Sequence, residues 1–187
     1  MTTLSSLSLA RHKVFTQALL ISLFVLLTAV GAQLEIPLQP VPMTFQTLVV
    51  LLAGVVLGPR YGFLSMVLYL AVGLIGVPVF AHAGFGPARL LGPTGGYLLS
   101  FPIAAYIIGT FFSLPLYRSL YSAFARYAFA VVFMVAGMII IFSAGVVQLN
   151  LVYFHDWSKS FQAGFFVFSV WDGLKIVAAA TIAHRLK

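Results

Sequence analysis

The sequence predicts an all-α integral membrane protein that crosses the bilayer with six transmembrane helices, and three observations support this. First, 62% of the 187 residues are hydrophobic and only 7% are charged, against about 25% charged residues in soluble domains. Second, the apolar residues form segments of about 20 residues, the length that a membrane helix needs. Third, basic residues fall at the ends of these segments. We expect one polytopic domain over residues 1–187, with residues 1–13 as a short cytoplasmic segment.

The six predicted helices differ in length and in how they are connected. They cover residues 14–32, 44–57, 61–80, 95–117, 127–149 and 163–183. The first is longer than the apolar core of a signal peptide, about 7–15 residues, so we interpret it as a retained helix. The second is short, and the tight Gly58-Pro59-Arg60 connection joins it to the third.

The distribution of lysine and arginine predicts the orientation. With the N-terminus inside, the inner side holds Arg11, Lys13, Arg60, Arg118, Arg126, Arg185 and Lys187, and the outer side holds Arg89 and Lys159. Cytoplasmic loops are enriched in these residues, so both termini are predicted to be cytoplasmic in a multi-pass protein of the plasma (inner) membrane. Because the basic residues are scattered along the chain, its net charge of +7 does not indicate nucleic acid as a partner.

Irregular sequence collects in the two predicted outer connections. Pro37, Pro40 and Pro42 prevent helix formation in the first and favour extended backbone, and Glu35 beside them is expected to be solvated. The second, residues 81–94, is rich in glycine and leads into the motif GPTGGY at 92–97. Without a Gly-Lys-Ser/Thr ending, this motif is weak as a phosphate loop. We expect either a loop that lids or lines a pocket opening outward or a plain helix start, which Pro93 and Thr94 favour.

Two charged residues, Asp172 and Lys175, lie inside the last apolar segment. A charge in the bilayer costs roughly 3 kcal/mol or more, so such residues usually face a cavity, a substrate or each other. A helix beginning at Ala163 would place Asp172 about 14 Å deep. Phe168 shares the helix face of Asp172 and Lys175, and Trp171 borders it. This face suits a small ligand with an apolar body and polar ends; the alternative is an ion pair that serves packing only.

Other candidate ligand contacts lie towards the predicted outer side. Arg89 can pair with a ligand carboxylate or with a lipid headgroup. Gln46 can hydrogen-bond a ligand or a backbone group, and His82 is the one histidine in the predicted pocket region. The histidines lack metal-ligand spacing and no nucleophile motif is present. We therefore expect no catalytic residue, metal site or cofactor, and no enzyme activity in this chain.

Several stretches together resemble the BioY family, the biotin-binding S components of energy-coupling-factor transporters. They are GAQ (31–33), IPL (36–38), PVP (40–42), QTL (46–48), LAG (52–54), LGPR (57–60), LYL (68–70), GVPVFA (76–81), GPTGGY (92–97) and Asp172 with Lys175. The resemblance is densest between residues 31 and 102. Two departures stand out. Trp171 and Gly173 flank Asp172 where the family often has Pro-Gly before the aspartate, and Glu35 replaces a small or neutral residue.

The resemblance implies a six-helix S-component fold that takes up biotin from outside and delivers it inward. It implies that Asp172 matches the aspartate associated with the ureido ring, and that Tyr97 and the loop up to Arg89 match the ligand-covering region. It also implies a membrane coupling subunit and ATP-binding subunits as partners, since this chain has no nucleotide-binding motif. Whether Lys175 or Arg89 meets the ligand carboxylate stays open. The alternatives are an S component for another vitamin and a structural or assembly protein.

Overall fold

The computed structural model describes residues 2–166 and 169–186, and this part of the chain is mainly helical. The helices are α1 (Thr2–Gln33), α2 (Gln46–Leu74), α3 (Pro87–Leu91), α4 (Gly95–Ser113), α5 (Pro115–Ser119), α6 (Ala123–Leu149), α7 (Trp157–Gly164) and α8 (Ser169–Leu186). A π-helical turn, Asn150–Phe154, extends α6. Strands β1 (Glu35–Ile36) and β2 (Met43–Thr44) pair antiparallel in the proline-rich connection, which confirms the predicted extended backbone there.

Helix α2 is a hairpin of two helical halves that meet at Gly58. This glycine has φ +76° and precedes Pro59, a combination that ends one helical run and begins the next. Gln46 and Tyr69 lie within hydrogen-bond distance, 2.6 Å between Nε2 and the hydroxyl oxygen. A straight helix would separate them by about 34 Å. The hairpin confirms the two helices predicted on either side of the Gly58-Pro59-Arg60 connection.

Small residues let α4 pack closely against this hairpin. A Cβ at Gly54 would lie 2.6 Å from the carbonyl oxygen of Ala105, and a Cβ at Gly109 would overlap the backbone of Gly58 and Pro59. Helix association in lipid depends on such close backbone approach, because burial of apolar surface contributes little to the association of helices within the bilayer. The core around this contact is continuous with α6 and α8. It therefore fixes α2 and α4, which supply five residues of the pocket described below, Gln46, Thr47, Tyr97, Leu98 and Phe101.

Four described helical segments are long and apolar enough to cross a membrane by length and composition. They are Lys13–Gln33, Gln46–Leu74, Gly95–Ser113 and Ala123–Phe154.

Two predicted boundaries need correction. The third predicted helix ends at Leu74 rather than 80, with Gly76 at φ +106° just beyond it. The fourth ends at Ser113 rather than 117, because Leu114 precedes Pro115 and such a residue is biased to extended backbone.

The prediction of one continuous last helix over 163–183 is wrong. Helix α7 ends at Gly164, Phe165 has φ −128° and ψ −57°, and α8 begins at Ser169. Asp172 therefore lies in the first turn of α8, so the depth predicted from a helix start at Ala163 does not apply. At this position the carboxylate faces the positive end of the helix dipole, which stabilises a negative charge.

Candidate functional site

A pocket opens between α2, α4, α6 and α8 and encloses about 560 Å³, counting its open mouth. Its apolar walls are Val41, Pro42, Phe80, Ala81, Leu98, Phe101 and Phe142, and its polar lining is Thr44, Gln46, Thr47, Arg89, Thr94, Tyr97, Asp172 and Lys175. Three phenylalanine side chains together with convergent polar groups are typical of a site for a small, largely apolar molecule.

The centre of the polar lining is the ion pair between Asp172 and Lys175. Both residues are buried, at 3% and 6% exposure. Nζ of Lys175 lies 2.7 Å from Oδ1 of Asp172 and donates a second hydrogen bond, 2.8 Å, to the carbonyl oxygen of Thr44. The hydroxyl of Thr47 reaches the same Oδ1 at 3.5 Å. Oδ1 thus accepts hydrogen bonds from two side chains. The ammonium of Lys175 connects α8 to Thr44 in β2, just before α2.

The other carboxylate oxygen, Oδ2 of Asp172, is buried, and no hydrogen-bond partner reaches it within residues 2–166 and 169–186. Buried polar groups are nearly always hydrogen-bonded, so each exception in a native structure needs an explanation. Asp172 lines the pocket, and a ligand N–H group there would complete the carboxylate. The arrangement can therefore accept a hydrogen bond from a neutral N–H donor without bringing another charge into the site.

A chain of hydrogen bonds connects this ion pair to the loop formed by residues 80–84, which we call the pocket loop. The hydroxyl of Thr44 donates to Oε1 of Gln46, 2.9 Å, and Nε2 of Gln46 donates to the hydroxyl of Tyr69, 2.6 Å. That hydroxyl donates in turn to the carbonyl oxygen of Val79, 2.9 Å, just before the pocket loop. Gln46 and Tyr69 are buried, so this chain positions the polar wall of the pocket and the approach to the loop together.

Tyr97 contacts the end of α7. Its hydroxyl donates to the carbonyl oxygen of Gly164, 2.9 Å, at the end of α7. Its ring lies against Gly145 of α6, where a Cβ would overlap it, and stands edge-on to Phe142, with ring centroids 6.2 Å apart. The glycine is therefore required for the tyrosine to reach across α6. The helix that the GPTGGY motif predicted does begin at Gly95, after Thr94.

Arg89 also belongs to the polar lining and is half-buried. Its guanidinium packs over Gly84, where a Cβ would overlap it. The ion pairs in the described part of the chain are Lys159 with Asp156 and Lys175 with Asp172, and Glu35 contacts the imidazole of His82. No carboxylate thus neutralises Arg89 among the residues described. The guanidinium fork can receive a ligand carboxylate in two hydrogen bonds.

The structure brings five of the predicted site residues onto one pocket, namely Gln46, Arg89, Tyr97, Asp172 and Lys175. Trp171 is 53% exposed and is not part of the lining, because neighbouring helix positions point about 100° apart. His82 also lies off the lining, and its Nδ1 is 3.4 Å from Oε2 of Glu35. Phe168 lies outside the described residues.

The expectation that Glu35 is solvated is wrong. Its side chain is 14% exposed, and its Oε1 accepts a hydrogen bond from the backbone N–H of His82, 3.2 Å. The site residues that sequence reasoning missed include Thr47 and Phe142 in the pocket lining and Tyr69 behind it. Tyr69 and Phe142 lie within apolar helices, where nothing in the sequence separates them from ordinary core residues.

Comparison with known proteins identifies the family. The sequence model of the BioY family matches residues 2–187. The chain belongs to the BioY family. A protein named biotin transporter BioY from Thermotoga maritima is 43% identical over 165 residues, covering 88% of this chain and 92% of that protein. A probable biotin transporter BioY from Pyrococcus horikoshii is 41% identical over 168 residues, covering 90% and 94%.

A solved structure of similar fold agrees with this membership. The crystal structure of an S component for biotin from an ECF-type ABC transporter matches with a TM-score of 0.77 and 28% sequence identity. The match covers 100% of this chain and 94% of the other. The resemblance seen in the sequence motifs is therefore confirmed, and the BioY chain is a multi-pass membrane protein with the S-component fold.

Proposed function

We propose that the protein is the substrate-specific, biotin-binding membrane subunit of an ATP-driven vitamin importer. It captures biotin from outside the cell and delivers it inward. The observation that carries this proposal is the buried carboxylate of Asp172, whose Oδ2 lacks a protein partner in the described part of the chain while the residue lines an apolar pocket. The names of the BioY relatives and of the structural neighbour, which refer to biotin, support the same ligand.

The chemistry of the pocket fits the two ends of biotin. The ureido ring presents N–H donors, and the free oxygen of Asp172 is an acceptor for one of them. The fused rings are apolar and suit the wall made by Phe80, Phe101 and Phe142. The valerate chain ends in a carboxylate, and Arg89 is a cation without a described carboxylate partner. Lys175 already holds Asp172 and the Thr44 carbonyl, so we assign the ligand carboxylate to Arg89.

In the transport cycle that we propose, partner subunits hydrolyse ATP. A membrane coupling subunit transmits the effect of this hydrolysis to the present chain. The chain crosses the plasma membrane six times, with the two halves of α2 and helix α8 as separate crossings and both termini in the cytoplasm. The pocket then faces outward, since it lies at the ends of α2, α4 and α8 that join the predicted outer connections. The protein itself needs no cofactor and catalyses no reaction.

Calorimetric titration of the purified, ligand-stripped chain with biotin tests this proposal directly. We expect saturable one-to-one binding without any partner subunit. Asp172→Asn should weaken biotin binding by tenfold or more, because an amide in place of the carboxylate gives up a charge-assisted hydrogen bond. Biotin methyl ester should bind the wild type more weakly, and Arg89→Gln should abolish that difference between acid and ester.

Two outcomes would refute the assignment. A folded protein that gives no heat and no thermal shift with biotin, but responds to thiamine or riboflavin, would mean an S component for another vitamin. An Asp172→Asn variant that keeps full biotin affinity and only melts at a lower temperature would reduce the ion pair to a packing role.

A further inference from the structure

The pocket loop, residues 80–84, contains two consecutive residues in an unfavourable backbone conformation. His82 has φ +56° and Ala83 has φ +49°, and neither is glycine. L-residues adopt this left-handed region only rarely, and such backbone persists where surrounding contacts hold it in place. The loop is part of the pocket, because Phe80 and Ala81 belong to its wall. What holds these two residues therefore also holds one wall of the site.

The holding contacts come from the end of α1 and from β1. The N–H of His82 donates to Oε1 of Glu35, 3.2 Å, and the N–H of Ala83 donates to Oε1 of Gln33, 3.1 Å. The side-chain amide of Gln33 also donates to the carbonyl oxygen of Phe80, 3.0 Å. Gln33 thus binds the loop backbone at two points, and the N–H groups of both left-handed residues are taken by side chains. Neither Gln33 nor Glu35 lines the pocket.

The loop in turn supports Arg89. Gly84 ends the loop with hydrogen bonds to the backbone of Phe80 and Ala81, 3.1 and 3.0 Å. The guanidinium of Arg89 packs on Gly84 closely enough to exclude a Cβ. A loop released from Gln33 and Glu35 would move the apolar wall at Phe80 and also withdraw the surface on which Arg89 rests.

We infer that Gln33 and Glu35 are positioning residues that hold the pocket loop closed and so set the rate at which biotin leaves. This inference rests on the proposed function for its ligand, and on the hydrogen bonds above for its mechanism. Breaking these bonds raises the population of the open loop. Biotin leaves only when the loop is open, so its dissociation rate rises in proportion to that open population.

The experiment compares four variants by two readouts. Gln33→Met removes both loop contacts at similar size, and Glu35→Leu removes the acceptor for His82. Glu35→Gln keeps that acceptor and serves as the conservative rescue. Gln39→Met, in the same connection and exposed, is the matched control. The readouts are hydrogen exchange of the 80–84 amides in the ligand-free protein, and dissociation of radiolabelled biotin from protein in nanodiscs.

We expect Gln33→Met to speed both hydrogen exchange at Ala83 and biotin release by about tenfold. Glu35→Leu should speed biotin release and exchange by about fivefold, with the effect on exchange centred on His82. Gln39→Met should match the wild type, and Glu35→Gln should have a much smaller effect than Glu35→Leu, because it keeps the acceptor for the His82 N–H and changes only the contact with the imidazole. The thermal midpoint of the ligand-free protein should change little, because the loop opens locally.

Unchanged exchange at His82 and Ala83 in Gln33→Met and Glu35→Leu would overturn the inference. Faster exchange with unchanged biotin release would overturn the link to the pocket, and a Glu35→Gln variant as impaired as Glu35→Leu would overturn the hydrogen-bond mechanism. A wild type with slow exchange at the loop but no biotin binding would instead refute the proposed function, since the exchange readout needs no ligand.

Discussion

Asp172 combines a favourable helix position with an unfavourable environment. The first turn of α8 stabilises its negative charge, and Lys175 one turn later neutralises it at 2.7 Å. Burial of both groups opposes this gain, because each has left water for an apolar surrounding. A buried pair is consequently weak support for stability, while loss of one member leaves an uncompensated charge. This asymmetry allows packing and ligand binding to be separated by mutation.

Lys175→Met should destabilise the protein by about 3–5 kcal/mol, because Asp172 is then buried without its cation. The double variant Asp172→Asn with Lys175→Met should recover most of this loss, since it contains no unpaired charge. It should nevertheless fail to bind biotin. Thermal unfolding in detergent measures the first effect and calorimetric titration the second. Retained biotin affinity in the double variant would show that the pair serves packing alone.

At the scale of elements, the α2 hairpin links the pocket to its loop through Tyr69. Its hydroxyl accepts from Gln46 of the first half and donates to the Val79 carbonyl beyond the second half. The ring of Tyr69 also stands edge-on to Phe80, with ring centroids 5.5 Å apart. One side chain in the second half of α2 therefore fixes the first half, the polar lining and the start of the pocket loop.

Tyr69→Phe should destabilise the protein by about 1–3 kcal/mol, because it leaves the Gln46 amide and the Val79 carbonyl unpaired in a buried setting. Biotin affinity should fall as well, since Gln46 lines the pocket. Tyr106→Phe is the matched control, because that tyrosine is 47% exposed. Equal thermal midpoints for the two variants would contradict the role given to the Tyr69 hydroxyl.

The close crossing of α2 and α4 can be tested with one methyl group. Gly54→Ala places a Cβ 2.6 Å from the Ala105 carbonyl oxygen, and overpacking of this kind typically costs about 1–3 kcal/mol. Gly173→Ala, beside Asp172 in α8, meets nothing within 4 Å and should be neutral or stabilising by up to about 1 kcal/mol. Thermal midpoints in detergent compare the two. A Gly54→Ala variant as stable as Gly173→Ala would mean that the helices can move apart freely.

The sequence predicted those parts of the site that contrast with their surroundings. Asp172 and Lys175 stand out as charges in an apolar segment, and Gly58-Pro59 stands out as a turn between apolar runs. The break between α7 and α8 was missed because residues 163–170 form an apolar run, in which Gly164 was the one residue that favours a helix end. What interrupts the helix there is tertiary, as Tyr97 from α4 takes the Gly164 carbonyl. Glu35 was misjudged for the same reason, since its partner lies 47 residues away.

At the scale of the whole molecule, the number of membrane crossings depends on the α2 hairpin. Its first half, residues 46–57, is about 18 Å long and is too short to cross a hydrocarbon core of about 30 Å alone. The irregular, hydrogen-bonded segment 34–45 precedes it, and such backbone is tolerated at membrane depth only beside protein or a wet cavity. The pocket provides that setting for Val41, Pro42 and Thr44. The short first half of α2 can therefore cross the membrane together with segment 34–45, which completes the crossing on the outer side beside the pocket.

Because the chain contains no cysteine, single introduced cysteines report the topology without background. In intact cells, a membrane-impermeant maleimide should label Gln39→Cys and Gln162→Cys. It should label Tyr61→Cys and Tyr121→Cys only after permeabilisation, since the predicted orientation places both on the cytoplasmic side. All four positions are exposed, so accessibility follows the side of the membrane rather than burial in the protein. Labelling of Tyr61→Cys from outside would turn the α2 hairpin into a re-entrant element and reduce the six crossings to four, while labelling of Tyr121→Cys from outside would reverse the orientation.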